Sequence, residues 1–298
     1  MKYLIFIFLL TSFCHHKIPS TISQQIEHKS PSYPPTILPS DTSKLWVAAG
    51  NPEQEVVLIL LQGGPKDYLG FVDKGKTSWR YLPNYEQYYR VHLHQANTYN
   101  PKIFEYNDSF TLKMAKTEVD NTSEMLYQTI KYFKDRQKTV YVLGHSYGAF
   151  IIPHYLSTRP SLADKYVVIS GRIDDDPVGL EAHRQGFNGI YVEDGRKFES
   201  DKEQDLTDYT ESEKKYYQVK QWLKWAIGLP KYSEKLSDID LSNMTYIYCP
   251  NDSRVGRLTE EEIDFLTSKK ANVFSTNHKH GHTIRALVDL VAEGKIEL

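Results

Sequence analysis

The stretch TVYVLGHSYGAF, residues 139–150, passes from a continuous apolar run into a serine flanked by glycines. Residues 139–143 are β-branched, aromatic or aliphatic, a composition typical of a buried strand. A strand that must turn into a helix within a few residues holds the central residue in a strained backbone, and glycines on either side remove Cβ clashes. The stretch therefore predicts Ser146 at the end of a strand and at the start of a helix, where the helix dipole favours negative charge.

The motif alone is compatible with two roles for Ser146. In this pattern a serine can be a nucleophile exposed above a sheet edge, or simply a small residue in a tight turn. The context favours the nucleophile, because the motif directly follows a predicted strand and precedes a plausible helix.

Four further runs have the length and composition of buried strands. Their hydrophobicity is continuous rather than alternating, which is typical of parallel strands covered on both faces. Between these runs, apolar residues recur at the spacing of a helix. Leu126, Ile130 and Phe133 are an example, and a helix-capping pattern at residues 121–124 precedes them. This alternation predicts an α/β fold with a mostly parallel central sheet flanked by helices. The four runs are residues 56–61, 89–94, 166–170 and 245–249.

The composition is that of a folded domain of ordinary enzyme size. The chain has 298 residues, of which 40% are hydrophobic, enough to bury a sizeable core. Its 36 basic and 38 acidic side chains are spread along the sequence and give a net charge of -2. Because binding to phosphate backbones requires a basic stripe, which this sequence lacks, we expect no nucleic-acid partner.

The first residues differ from the rest of the sequence. Met1 and Lys2 form a short basic start, and residues 3–13 are an apolar run. That run is too short to span roughly 30 Å of bilayer hydrocarbon, which requires about 20 residues in a helix. We therefore predict a signal peptide at residues 1–13 and an exported protein.

Cys14 stands where a bacterial lipoprotein carries its acylated cysteine. Ser12 fits such a signal, whereas Phe13 occupies a position normally held by a small residue. Two alternatives stay open: a periplasmic or cell-surface lipoprotein attached to a membrane through lipidated Cys14, or ordinary secretion. Residues 14–42 are rich in Ser, Pro, Gln and His without apolar periodicity, which predicts a flexible linker before a domain at residues 43–298.

A nucleophilic Ser146 requires a carboxylate and a histidine base, because a serine hydroxyl is too weak an acid to attack alone. Asp252 follows the predicted strand at residues 245–249, which would bring it to the same sheet edge as Ser146. Asn251 and Asp252 could instead form only a turn. The acidic residues 174–176 follow the preceding strand and are the alternative source of the carboxylate.

The candidate bases are the histidines of one loop, NHKHGHT at residues 277–283. His282 follows a glycine at the start of the last predicted helix, so it is the first choice, and His280 is the second. Alternating histidines can also converge on zinc, but no carboxylate or fourth ligand stands at the spacing of a metal site. We therefore predict neither a metal nor another cofactor.

Ser146, Asp252 and His282, in this order along the chain, resemble the catalytic triad of the α/β-hydrolase superfamily. The resemblance covers residues 45–298 and implies the α/β-hydrolase fold. It also implies a cap over the active site, because many members carry an insertion where this chain has about residues 174–240. That segment is far longer than one helical crossover requires, and the implied cap is helical.

The resemblance further implies an oxyanion hole built from backbone N–H groups. The turn QGGP, residues 62–65, follows the strand where the superfamily forms half of this hole. The implied donors are the N–H of Gly63 or Gly64 and the N–H of Tyr147. Proline iminopeptidases have a similar turn with histidine in place of Gln62, so the sub-family is left open.

The implied activity is that of a serine hydrolase. Such an enzyme would cleave an ester, amide or thioester bond of a small molecule through an acyl-enzyme, and esters are the favoured substrates. Two alternatives stay open: an acyltransferase of the same fold, and a surface binding protein on a hydrolase scaffold.

Overall fold

The computed structural model describes residues 35–70, 78–105, 110–201, 207–280 and 283–298. The predicted signal peptide, Cys14, the linker as far as residue 34, and His282 lie outside these residues. The predictions of export and lipidation therefore concern a part of the chain that the structure does not describe.

The described strands form one large sheet and one small one. Their bounds are β1 (Trp46–Ala49), β2 (Val56–Leu61), β3 (Tyr89–Leu93), β4 (Thr139–His145), β5 (Lys165–Ile169), β6 (Gly189–Val192), β7 (Lys197–Ser200), β8 (Met244–Tyr248) and β9 (Asn272–Ser275). The large sheet has the order β1-β3-β2-β4-β5-β8-β9, and β6 pairs with β7. Only the β1–β3 pair of the large sheet is antiparallel, so the carboxyl ends of its other described strands share one edge.

Helices cover both faces of the large sheet. Alternate residues of β2 show this. Val57, Ile59 and Leu61 belong to a core cluster with side chains of the helices at residues 112–134, 147–158 and 211–228, whereas Leu58 and Leu60 cluster with side chains of the last helix, residues 283–292. None of the helices within the described ranges is long and apolar enough to cross a membrane. The helices are α1 (Ala96–Tyr99), α2 (Leu112–Lys134), α3 (Tyr147–Thr158), α4 (Pro177–Arg184), α5 (Glu211–Gly228), α6 (Tyr232–Lys235), α7 (Glu260–Ser268) and α8 (Thr283–Ala292).

The five strands predicted from apolar runs are present as β2, β3, β4, β5 and β8. The prediction missed β1, β9 and the β6–β7 hairpin. Each of these strands has only four residues, and β1 and β9 are largely exposed or half-buried edge strands. A strand that buries little side-chain surface does not need an apolar run, so the sequence carried no signal for it.

Helix α2 has the predicted apolar spacing but begins earlier than predicted. Thr111 is its N-cap, and the Thr111 hydroxyl accepts a hydrogen bond from the Met114 N–H at 3.4 Å. The predicted cap at residues 121–124 is wrong, because these residues lie in the middle of the helix. Thr122 there donates its hydroxyl to the Glu118 carbonyl oxygen at 2.9 Å, a bond that the continuing helix accommodates.

Helix α3 continues through Pro153 to Thr158. From the sequence, a proline inside this helix predicts a kink or an early break, and the structure shows that the helix does not break there. Proline removes one backbone hydrogen bond from the helix, but Ile151, Ile152 and Tyr155 around it are at most 1% exposed. Burial of these side chains in the core holds the helix together at the proline.

The end of the predicted linker packs on the domain. Thr36 is buried, its N–H donates to Glu118 Oε1 at 3.0 Å, and its hydroxyl donates to Glu118 Oε2 at 2.5 Å. Asn121 Nδ2 donates to the Thr36 carbonyl oxygen at 3.1 Å. Contacts with the domain thus begin before residue 43, the predicted boundary.

The chain between β5 and β8 contains α4, the β6–β7 hairpin, α5 and α6, so the segment is a mixture of helices and a hairpin. Helix α5 packs against α2, with Val219 and Leu223 fully buried. The ring of Tyr216 stacks on that of Phe104, with centroids 4.5 Å apart. In the sequence, the helical spacing of Tyr216, Val219, Leu223 and Ala226 predicts a helix that packs on the body of the domain, and the structure confirms this packing.

Candidate active site

Ser146 lies in the sharp turn between β4 and α3. Its backbone has φ 56° and ψ -121°, a conformation that residues with a side chain rarely adopt. The flanking glycines are required by close packing. A Cβ on Gly144 would lie 2.4 Å from the carbonyl oxygen of Gly148, and a Cβ on Gly148 would lie 2.4 Å from that of Leu61. The Ser146 hydroxyl makes no capping bond to α3, so it is available for another partner.

Asp252 is completely buried in the loop that follows β8. Its Oδ1 accepts hydrogen bonds from the N–H groups of Arg254 at 2.8 Å and Val255 at 3.1 Å. Its Oδ2 accepts from His280 Nδ1 at 2.7 Å. The turn and the histidine contact are therefore compatible, because each uses a different oxygen of the same carboxylate.

His280 connects Asp252 to Ser146. Its Nε2 lies 3.0 Å from the Ser146 hydroxyl oxygen, and its side chain is 16% exposed. Because Nδ1–H donates to Asp252, a neutral imidazole has an unprotonated Nε2, which can accept the proton of the serine. His280, the second choice from the sequence, is the histidine that the structure brings between the two residues. His282, the first choice, lies outside the described residues.

The alternative carboxylates at residues 174–176 have other partners. Asp174 accepts hydrogen bonds from both the N–H and the hydroxyl of Ser233. Asp176 caps α4 by accepting from the Val178 N–H at 2.8 Å. Neither of these two carboxylates hydrogen-bonds to His280 within the described residues.

The histidine loop does not converge on a metal site in the part of the chain that the structure describes. His278 Nε2 lies 3.1 Å from Asp289 Oδ2 on α8, and His280 is bonded to Asp252. No cluster of three or more His, Cys, Asp or Glu side chains suited to a metal ion occurs among the described residues.

His145 is a site residue that the sequence reasoning missed. Its Nε2–H donates to the backbone carbonyl oxygen of His280 at 3.1 Å, and the two imidazole rings are 5.1 Å apart. Burial, followed by the neighbouring His280, lowers the pKa of His145 to about 4, so its ring is neutral at neutral pH. His145 therefore holds the main chain that carries His280. In the sequence, the sign of this role was the position of His145 directly before Ser146.

Gln62 fixes the turn after β2. Its Nε2 donates to the Tyr68 carbonyl oxygen at 2.8 Å, and its Oε1 accepts from the Gly70 N–H at 2.6 Å. Gln95 Nε2 donates to the Gln62 carbonyl oxygen at 2.7 Å. An amide can donate and accept at the same time, which suits this double contact with the backbone.

The glycines after Gln62 lie next to the serine. A Cβ on Gly63 would lie 3.1 Å from the Cβ of Ser146, so the backbone of this turn approaches the nucleophile closely. Gly64, which precedes a cis peptide bond to Pro65, lines the same cavity as Ser146. Tyr147 is the first residue of α3, so its N–H has no partner within the helix. Tyr147 also lines this cavity.

A cavity of about 350 Å³ lies above Ser146 and His280. Its other walls come largely from the segment between β5 and β8, including Tyr191 of β6 and Lys220 and Lys224 of α5. This segment therefore covers the site as a cap. The cavity has the size expected of a small-molecule site.

No family model and no curated protein matches the sequence. Solved structures match over most of its length. A lipase-esterase related protein from Clostridium acetobutylicum ATCC 824 is 16% identical, with a TM-score of 0.52 over 83% of this chain and 98% of that chain. A hydrolase from Oleispira antarctica is 12% identical, with a TM-score of 0.51 over 85% and 96%. MGS-M2, an α/β hydrolase enzyme from a Medee basin deep-sea metagenome library, is 15% identical, with a TM-score of 0.50 over 85% and 94%.

At sequence identities this low, the structural similarity shows a shared fold and nothing more. Each of these matches covers at least 83% of this chain and at least 94% of the other chain. The chain therefore has the fold of the α/β-hydrolase superfamily, as the sequence predicted.

Proposed function

We propose that this protein is a serine hydrolase that cleaves a carboxylic ester through an acyl-enzyme. Ser146 is the nucleophile, His280 the general base, and Asp252 the carboxylate that orients it. The observation that carries the proposal is the chain of hydrogen bonds from Asp252 to His280 at 2.7 Å and from His280 to Ser146 at 3.0 Å. The α/β-hydrolase fold places such chemistry at this edge of the sheet.

The first half of the reaction forms the acyl-enzyme. His280 Nε2 takes the proton of Ser146 as the serine oxygen attacks the carbonyl carbon of the ester. The N–H of Tyr147 and that of Gly63 or Gly64 stabilise the oxyanion, each contributing about 3 to 4 kcal/mol in comparable sites. Asp252 keeps the imidazole in the required tautomer and stabilises its charged form. The first half ends when His280 gives its proton to the departing alkoxide and the acyl group stays on the Ser146 oxygen.

The second half releases the acid. Water, activated by the same histidine, then attacks the acyl carbonyl and regenerates the serine. Amides and thioesters require the same steps, so an assay panel should contain all three substrate types.

Labelling with a fluorophosphonate probe tests the nucleophile and the base together. We expect the wild-type protein to be labelled, and Ser146→Ala and His280→Ala to lose labelling. His282→Ala is the matched control, because it removes another histidine of the same loop, and it should keep labelling. Hydrolysis of p-nitrophenyl butyrate by the same variants should follow the same pattern.

Two outcomes would contradict the proposal. A folded wild-type protein that the probe does not label would count against an activated serine and favour a binding protein. Loss of labelling in His282→Ala, with labelling retained in His280→Ala, would instead assign the base to the first choice from the sequence. Circular dichroism of each variant shows whether it is folded.

We further propose that residues 1–13 direct export, on the evidence of the sequence alone. Expression of the full chain in a bacterial host, followed by intact mass measurement of the mature protein, tests this. Cleavage before Cys14 with added acyl mass would identify a lipoprotein attached to a membrane. An uncleaved amino terminus in the cytoplasm would contradict export.

A further inference from the structure

The cavity above Ser146 has a cationic wall, which we define as Lys220, Lys224 and Arg254. Lys220 and Lys224 are four residues apart on α5, so they lie on one face of the helix. Arg254 comes from the loop after β8, two residues beyond Asp252. The wall thus combines the cap segment and the catalytic edge of the sheet around one space.

These cations are not neutralised by ion pairs within the described residues. Lys224 Nζ donates to Asn188 Oδ1 at 2.8 Å, and an amide carries no charge. Lys220 Nζ lies 5.2 Å from the centroid of the Tyr216 ring. No salt bridge joins any of the three cations to a carboxylate of the described chain.

Burial is the main cause of a lowered pKa at both lysines; nearby cations add to this effect, and nearby carboxylates oppose it. Burial, and then the neighbouring Lys220, lowers the pKa of Lys224 to about 8. Burial, and then Lys66, lowers the pKa of Lys220. Loss of water and repulsion by other cations disfavour the charged form of both lysines, and an anion between them would relieve both effects.

Asp175 is the carboxylate that lines the same cavity, and it does not balance the wall. Burial raises its pKa to about 6, while the opposing effect of Arg172 favours its charged form. Its Oδ1 accepts a hydrogen bond from the Asp176 N–H at 2.9 Å. Among the described residues, one carboxylate and three cationic side chains line the cavity, so this part of the lining has a net positive charge.

A structural role explains part of this arrangement. The Lys224–Asn188 bond joins α5 to the residue just before the β6–β7 hairpin. Such a role does not require two lysines and an arginine to face one cavity next to the candidate nucleophile. Their convergence on this space indicates an anionic ligand.

We propose that the cationic wall binds a carboxylate on the substrate, so that the enzyme prefers esters carrying a free carboxylate away from the scissile bond. This inference rests on the proposed serine hydrolase function and narrows its substrate class. The carboxylate would approach Lys220 and Lys224 while the ester carbonyl lies against Ser146 and the oxyanion donors. Charge-assisted hydrogen bonds are among the strongest that a protein makes to a ligand.

Two matched pairs of esters test the inference, one with the carboxylate on the acyl group and one with it on the leaving group. The first pair is mono-p-nitrophenyl glutarate and its methyl ester. The second is 4-acetoxybenzoate and its methyl ester. In at least one pair, we expect the wild-type kcat/KM of the charged ester to exceed that of its neutral partner by about tenfold or more.

Variants identify the source of the preference. Lys220→Met and Arg254→Gln should each reduce the charged-to-neutral ratio of kcat/KM by about fivefold or more, and Lys220→Glu should bring it below one. Lys214→Met is the matched control, because Lys214 is on the same helix, pairs with Glu211 at 2.9 Å and does not line the cavity. Its ratio should equal that of the wild type.

The outcomes separate this inference from the proposed function. Ser146-dependent hydrolysis with a ratio near one in both pairs would overturn the carboxylate preference and leave the hydrolase proposal intact. A preference that survives both Lys220→Met and Arg254→Gln would overturn the assignment to this wall. A folded wild-type protein with neither hydrolysis nor fluorophosphonate labelling would overturn the function, and the inference with it.

Discussion

Replacing Asp252 by Asn changes the orienting carboxylate with little change of shape. The two oxygens of Asp252 accept on opposite sides, one from the Arg254 and Val255 N–H groups and the other from His280 Nδ1. An Asn side chain has one oxygen and one NH₂ group, so it cannot accept on both sides. The backbone donors are fixed by the turn, so the amide oxygen should stay with them and the NH₂ should face His280.

This arrangement would change the tautomer of His280. With a donor opposite Nδ1, the neutral ring must carry its proton on Nε2, which then cannot accept the proton of Ser146. In a serine protease triad the corresponding substitution lowers kcat by about 10⁴-fold. That is about 5 kcal/mol of transition-state stabilisation. Because both backbone bonds are kept, we expect Asp252→Asn to fold normally.

The assay is kcat/KM for p-nitrophenyl butyrate at fixed pH, with thermal unfolding measured for each protein. Asp174→Asn is the control, because it makes the same chemical change to another carboxylate in the loop after β5, one that binds Ser233 rather than a histidine. We expect its kcat/KM to stay within about threefold of the wild type. A folded Asp252→Asn variant that keeps more than about a tenth of wild-type kcat/KM would refute the tautomer mechanism.

Three further predictions concern stability and the support of the site. Burial raises the pKa of Glu118 from 4.5 to about 7, so its contribution to stability is complete below about pH 4.5 and is lost as the pH rises through about 7. Glu118→Gln should remove this loss of unfolding free energy, which is about 3 kcal/mol at most. Urea unfolding of both proteins at pH 5 and pH 8 measures it, and equal pH dependence in the two proteins would contradict the prediction. Gly148→Ala should lower the unfolding free energy by about 1 to 3 kcal/mol or more, because its Cβ would lie 2.4 Å from the Leu61 carbonyl oxygen; an unchanged Tm would show that the turn can relax. His145→Phe keeps a ring but removes the N–H bonded to the His280 carbonyl oxygen, so the rate of fluorophosphonate labelling should fall about tenfold, and an unchanged rate would exclude this positioning role.

The sequence predicted the parts of the site that depend on short-range patterns. The turn at Ser146 could be predicted because the serine and its two flanking glycines stand within five consecutive residues. Asp252 could be located because an apolar strand ends just before it. Parallel strands share a carboxyl edge, so the end of a strand predicts a place in the site without any knowledge of long-range contacts.

The choice between histidines depended on information that the sequence does not carry locally. Their loop follows β9, an edge strand too short and too exposed to be predicted. Without that strand, the direction in which the loop returns to the sheet edge is unknown. His280 is also held through its backbone by His145, a contact across 135 positions that no spacing rule could reveal.

The cationic wall was missed for a different reason. The aromatic and aliphatic residues of α5 have helical spacing, which predicted packing on the body of the domain. Lysines on the adjacent face of such a helix are usually solvated, so their spacing alone does not indicate a ligand site. Only the fold, which places the cap over the site, shows that this face borders the cavity.

Helix α5 therefore performs two tasks with neighbouring faces. Val219 and Leu223 anchor it in the core, while Lys220 and Lys224, one position further along, face the cavity. Substitutions at the two cavity positions could alter ligand preference without creating a void between α5 and α2. During evolution, ligand selectivity can therefore change at positions 220 and 224 with little loss of stability. The same two positions are suitable starting points for protein engineering.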